Sequence, residues 1–250
     1  MMPSTPDRAV GLLTFPALSI ERGRVPATEG QLHTNWTDGC DDIETMYAAG
    51  HRAGLTAMLY SEHTRLGSAD WFPDFARTVR ALSSADNNPR AFVGTEVRVL
   101  TFDGDLDLDP IVASESSMVL ASVHRFPDPA GKPKAFEETD PKSAIALEKR
   151  LMLAAVEHAD VDVLSHPFGM SLIRFGQTVS EEDWLEVIEA TRSKDVAFEI
   201  NSKYHADPAR LLGLCMQVGA RISLGSDAHD ESAVGNCYRL LTSQLEGERP

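Results

Sequence analysis

The feature that most constrains this chain is a repeated coupling, in which short apolar runs end in a histidine or a carboxylate. Arg221-Ile-Ser-Leu-Gly-Ser-Asp227-Ala-His229 is the plainest case, a strand-like run closing on an acid and an imidazole two residues apart. Five more segments repeat the pattern. Near-continuous apolar runs are what parallel strands covered on both faces look like. They predict strands over 31–33, 56–61, 92–100, 118–123, 161–165, 196–201 and 221–226, with an edge strand over 15–20.

Helix signals fall between these runs. Asp41 or Asp42 can cap a helix containing Ile43, Met46 and Tyr47. Asp140-Pro141 is an N-cap with proline at the first helical position, opening a long helix through Leu151 and Ala155. Ser180-Glu-Glu-Asp183 resembles a capping box ahead of Trp184, Val187 and Ile188. Asp207-Pro208 starts another helix, which Gly219 ends. Alternation at this rhythm predicts a parallel sheet with crossover helices. Seven units in 250 residues point to one α/β domain closed into a barrel over 29–250, preceded by a peripheral leader over 1–28. Loops after the strands would line its C-terminal mouth, where barrel active sites lie. The stretch 126–139, with Pro127, Pro129, Gly131 and Pro133 directly after His124 and Arg125, is a candidate lid or substrate loop.

Composition narrows the partners. With 38 Asp and Glu against 23 Lys and Arg, the formal net charge is -15. Such a surface repels phosphate backbones, so nucleic acid is not the favoured partner. Cys40, Cys215 and Cys237 form no CxxC pair, which implies neither a disulfide framework nor a cysteine zinc site and fits a reducing compartment. No apolar stretch reaches the roughly 18–20 residues that span a bilayer. The first ten residues lack a basic segment followed by an apolar one, so a cytoplasmic address is expected.

Five of the eight histidines end a strand candidate or follow one within a few residues: His33, His63, His124, His166 and His229. Asp38, Glu96 and Asp227 share that placement. Neutral imidazole with carboxylate is a ligand set for zinc, iron or manganese. One strand-end histidine alone reads as an ordinary satisfied polar residue. Eight such groups at one end of one sheet would be a costly crowd without a counter-ion. His51 and His158 fall within predicted helices and are set aside. His205, in the loop after Glu199-Ile-Asn201, is expected at the mouth within reach of substrate. Arg125, Arg174 and Lys203 each follow a strand candidate and could hold phosphate oxygens; singly, each reads equally as solvated charge.

Taken in order, Thr34-Asn-Trp-Thr-Asp38-Gly39, Ser61-Glu-His63, Gly94-Thr-Glu96, Ser122-Val-His124, Leu164-Ser-His166-Pro167, Glu199-Ile-Asn201 and Ser226-Asp-Ala-His229 resemble the ordered motifs of the polymerase-and-histidinol-phosphatase (PHP) family. The likeness runs from about Gly30 to His229. It is nearest to the PHP domain appended to bacterial X-family DNA polymerases, including Asp103-Gly-Asp-Leu-Asp107. The resemblance implies a distorted (β/α)7 barrel with its metal site at the C-terminal ends of the strands. It also implies two or three divalent ions (Zn, Mn or Fe) and phosphoester hydrolysis. By position, Glu96 would bridge two metals, with His33 and Asp227 completing the first site and His124 and His166 the second. Asp38, His63 and His229 would hold the third. Catalysis would then rest on Glu96, Asp227 and His229.

Family members open with His-x-His, whereas Gln31-Leu-His33 keeps one histidine. Aligned without gaps to Asp38, His33 is the second and Gln31 replaces the first; aligned from Gly30, it is the first and two residues are missing. The gap-free version is preferred, and either way the first site loses a nitrogen ligand. Glu62, where the family has aspartate, is expected to orient His63. The favoured function is hydrolysis of a small phosphorylated metabolite by a metal-activated water. A 3'-5' nuclease, with Trp36, Trp71 and Phe72 as stacking residues, and a degenerate barrel that binds without turnover are the alternatives. A cyclic-amide hydrolase would want a strand-end lysine, and no strand candidate ends in one.

Overall fold

The computed structural model describes residues 9–20, 24–82, 89–128 and 132–247. Eight strands form one curled sheet in the order β1-β8-β7-β6-β5-β4-β3-β2. They are β1 (Thr14–Pro16), β2 (Thr28–Leu32), β3 (Ala57–His63), β4 (Arg90–Arg98), β5 (Met118–Ser122), β6 (Val163–Leu164), β7 (Ala197–Asn201) and β8 (Arg221–Gly225). Strands β2 to β8 run parallel, and β1 adds to β8 antiparallel, with Thr14 opposite Ser223. The two ends of the parallel set meet at a bridge between Leu32 and Ala228, where the His33 N–H donates to the Ala228 carbonyl at 2.8 Å. Gly30 permits that approach: a Cβ there would lie 2.3 Å from Ser223 Oγ and 2.8 Å from the Leu224 carbonyl oxygen. The architecture is the α/β barrel expected, and seven parallel strands build it.

Helices α1 (Val10–Leu13), α2 (Ile43–Arg52), α3 (Phe72–Leu82), α4 (Pro110–Glu115), α5 (Ala144–His158), α6 (Glu181–Ser193), α7 (Pro208–Val218) and α8 (Asn236–Gly247) accompany the strands. Their starts follow the capping chemistry. Asp42, Ser180 and Asp207 accept the N–H of Thr45 (2.8 Å), Asp183 (3.1 Å) and Arg210 (3.0 Å), each cap contributing about 1 kcal/mol. Gly219 ends α7 at φ 75°. Asp140-Pro141 opens a single 3-10 turn, Pro141–Ser143, before α5 begins.

Strand periodicity sorts the interior into layers. Ala57, Leu59, Phe92, Met118, Leu120, Val163 and Ala197 form one apolar cluster with Ala9 and Leu13, separate from the clusters outside the sheet. Two residues on from this layer come Ser61, Gly94, Ser122 and Glu199, and beyond them His63, Glu96, His124 and Asn201. The leader therefore needs correction in its described part. Leu13 is fully buried against the bottom of the barrel, which stabilises by roughly 1.5–3 kcal/mol; residues 9–20 are a plug and an edge strand, not a peripheral arm. The edge strand is shorter than expected, because Ala17–Ser19 turn into a 3-10 helix. The rest of the leader, 1–8 and 21–23, lies outside the described residues, as do Pro129 and Gly131 of the candidate lid. Among the described residues no helix is long and apolar enough to cross a membrane.

Candidate metal centre

Glu96 occupies the centre of the mouth. Its side chain is buried, and each carboxylate oxygen faces two imidazoles. Oε1 lies 2.7 Å from His166 Nε2 and 3.3 Å from His124 Nε2; Oε2 lies 3.2 Å from His63 Nδ1 and 3.4 Å from His33 Nε2. Asp227 Oδ1 approaches the same His33 nitrogen at 3.0 Å. Asp38 sits between His63 (3.4 Å) and His229 (3.5 Å) at the outer rim. The rings of His33 and His63 stack at 4.3 Å, and those of His124 and His166 at 5.4 Å. Three groups of donor atoms are close enough to share an ion: His33 with Glu96 and Asp227, Glu96 with His124 and His166, and His33 with His63 and His229. All eight sequence-derived ligand candidates are thus brought together.

The donor set fits divalent cations. Both ring nitrogens of His33 and Oε2 of Glu96 are buried without a hydrogen-bond partner, an arrangement that proteins avoid unless a cation or water satisfies the atoms. Burial alone would push the Glu96 pKa up, but the positive ends of His124 and His63 outweigh it and hold the carboxyl well below its usual range. Asp227 is lowered for the same reason, its burial outweighed by His33. In Asp38, hydrogen bonds from His229 and His63 lower the pKa. Three carboxylates therefore stay ionised, as ligands must.

Neighbouring groups aim these side chains. Lys203 Nζ (2.6 Å) and the Tyr204 hydroxyl (3.1 Å) both donate to Asp227 Oδ2, leaving Oδ1 to face His33. The His229 Nδ1 meets the Asp227 carbonyl at 2.8 Å, so Nε2 is the nitrogen turned to Asp38. His166 and Asp227 carry positive φ, 29° and 46°, backbone strain of a kind that collects at functional sites. Gln31 lies on the inward face two residues below His33. Its Oε1 accepts from Asn201 Nδ2 at 2.9 Å, and its Nε2 has no partner.

Four expectations change. His205 is not at the mouth: it is buried, Nδ1 accepting from Asn201 N–H and Nε2 donating to the Pro167 carbonyl, and burial lowers its pKa to about 4. It braces the loop after β7 against the loop after β6. Glu62 does not touch His63, because consecutive strand residues point to opposite faces. It accepts instead from Thr34 N–H (2.8 Å) and from the hydroxyls of Thr34 and Thr37, fixing the turn that carries Asp38. Phe72 is fully buried core, not a stacking residue. Arg174 lies outside the cavity, its guanidinium carbon 3.9 Å from the Phe136 ring centroid, while Arg125 packs on that ring at 3.7 Å and does line the cavity. Tyr204, whose ring lies 4.4 Å from that of His166, is a cavity residue the sequence reading missed, as are Thr64, Arg65, Ser68 and Arg98. Tyr204's signal was its place in the loop after a strand end.

No family model matches the chain. It is 29% identical over 240 residues to the "DNA polymerase/3'-5' exonuclease PolX" of Bacillus subtilis, covering 91% of this chain and 38% of that protein. The chain therefore spans well under half of that relative. A "probable phosphatase" of Caldicellulosiruptor bescii is 22% identical over 217 residues, covering 84% of this chain and 82% of its own. Among solved structures, histidinol phosphate phosphatase from Lactococcus lactis, complexed with zinc, L-histidinol and phosphate, aligns at a TM-score of 0.61 and 18% identity over 89% of this chain and 94% of that one. The chain is thus similar in sequence to an exonuclease-bearing polymerase and to probable phosphatases, and in fold to a histidinol phosphate phosphatase.

Proposed function

We propose that this protein is a metal-dependent phosphoesterase acting on a small phosphorylated molecule. One observation carries the reading: a buried, ionised Glu96 with two imidazoles against each oxygen, the arrangement of a carboxylate shared between two cations. In this reading His33 and Asp227 would hold one ion with Glu96, and His124 and His166 would hold a second. His63, His229 and Asp38 form the outer group. Bound divalent ions supply Lewis acidity and an activated water. The chain's own residues do the rest. Lys203 and Tyr204 pin Asp227, and Arg125, steadied on Phe136, offers a planar donor pair to phosphate oxygens. Arg174 acts through Phe136 rather than on substrate, and His205 acts as a loop brace.

The curated relatives and the zinc-bearing structural neighbour support the activity class. The exonuclease relative raises strand ends as a second substrate, against which the charge of -15 weighs. Protein loaded with Mn or Zn is expected to hydrolyse a chromogenic phosphomonoester, to lose activity with chelator, and to lose it in Asp227→Ala. Turnover indifferent to chelator, or silence in protein shown by elemental analysis to carry metal, would overturn the proposal. Stepwise shortening of a labelled oligonucleotide would shift it to strand ends.

A further inference from the structure

Of the three tryptophans, Trp184 is core, but Trp71 is only partly covered and Trp36 is 37% exposed. The two indoles adjoin, with centroids 5.8 Å apart and planes 30° apart. Trp71 lines the same cavity as Asp38, His63, Glu96 and Asp227, a space of about 630 Å³. That volume lies in the range of whole small-molecule sites and exceeds what a phosphate alone requires. The cavity thus runs from the metal centre to an aromatic wall completed by Arg65 and Ser68.

The wall is built into the fold. Asp107, almost wholly buried, accepts the Leu66 N–H at 2.9 Å and is paired with Arg98; Asp109 accepts the Gly67 N–H at 3.0 Å. Two acids from one segment therefore hold the loop that carries Arg65 and Ser68. The Trp71 Nε1–H donates to the Ser68 carbonyl at 3.2 Å, and edge contacts to Phe72 (5.5 Å) and Phe75 (5.9 Å) set the ring's plane from behind. A flat apolar face beside an arginine, joined to a site for phosphate, matches a ligand that carries an aromatic ring and one phosphate. The net charge of -15 opposes a long polyanion.

We propose that Arg65, Ser68 and Trp71, with Trp36 beside them, form a subsite for the base of a mononucleotide whose phosphate reaches the Glu96 cluster. This rests on the phosphoesterase reading for the phosphate end alone. In the hydrolysis, water adds to phosphorus and the P–O bond to the nucleoside breaks. The nucleoside leaves as the alcohol with one of the water protons.

The test titrates the full chain, with and without chelator, with adenosine 5'-monophosphate and with glycerol 3-phosphate while following tryptophan fluorescence. The nucleotide is expected to quench saturably and glycerol phosphate not to. Trp71→Leu should raise the nucleotide Kd about 5- to 150-fold, the range one base stacked on an aromatic ring supplies. Trp71→Phe, which keeps a ring, should restore most of it. In turnover, Trp71→Leu should raise KM for the nucleotide at least tenfold more than KM for glycerol phosphate. Equal quenching by both ligands, or an unchanged nucleotide Kd in a folded Trp71→Leu, overturns the subsite while leaving the phosphoesterase reading intact. Nucleotide binding with no phosphoester turned over overturns that reading and leaves the subsite. A 5'-phosphorylated ten-nucleotide strand that binds more than tenfold tighter than the mononucleotide overturns the mononucleotide assignment.

Discussion

Two sets of buried carboxylates share this barrel, and their charge states differ. Glu96 and Asp227 face imidazoles and a lysine and are held low. Glu29, Glu148 and Glu199 are as deeply buried but face backbone N–H groups, hydroxyls and an amide, and burial pushes all three up to about 7. Burial alone favours the neutral acid; the imidazoles around Glu96 and Asp227 reverse it, whereas the pull of His166 and of hydrogen bonds on Glu148 and Glu199 does not. The first set is fit to hold cations. The second serves as pegs: Glu29 ties β2 to the chain after β8 through Ser226 (2.8 Å) and Gly235 (2.8 Å), and Glu148 ties α5 to Met170 and Ser171.

The division breaks most directly at Glu96. Glu96→Ala is expected to lower turnover by about 10³ or more, consistent with the several kcal/mol a bound metal supplies, and to lower metal content in parallel. Unchanged stoichiometry by elemental analysis would contradict the bridging role. Glu29→Ala removes the acceptor for three N–H groups, those of Gln31, Ser226 and Gly235. At about 1–3 kcal/mol for each buried group left unpaired, several kcal/mol of stability should go, read from denaturant midpoints, while the folded protein keeps its metal. Metal loss in the folded variant would merge the two sets.

The smallest effect concerns Glu148 and pH. Its pKa is about 7 in the fold and 4.5 ordinarily. The folded state therefore retains a proton that the unfolded state releases. The associated stability is whole below pH 4.5 and lost as pH rises through 7, with a ceiling of about 3 kcal/mol. Glu148→Gln should flatten the decline between those values by one proton's worth, about 1.4 kcal/mol per pH unit. Identical slopes in the two proteins would show that Glu148 does not hold its proton.

Much of the site was legible because period two and strand ends are local properties. His63, Glu96, His124 and Asp227 could be placed on one face of one sheet end by counting, and the same count puts Glu62 on the opposite face from His63. The caps at Asp42, Ser180 and Asp207 were legible for the same reason, since each bond closes within three residues. His205 was not, because the direction a loop returns depends on what it packs against, here the Pro167 carbonyl 38 residues away. Tyr204 on His166, Arg125 and Arg174 on Phe136, and the plug at Leu13 are likewise contacts between distant segments.

The chain's own order of residues determined the strand–helix alternation and which donors stand at the strand ends. It also determined that Gln31, not a second histidine, stands two residues before His33. Only the tertiary structure decided that the sheet closes at Leu32 and Ala228, that Glu96 rather than any other acid sits among four imidazoles, and that the cavity continues to Trp71. Those outcomes depend on how far the strands curl and which faces meet, and such long-range packing leaves no periodic trace in a single sequence.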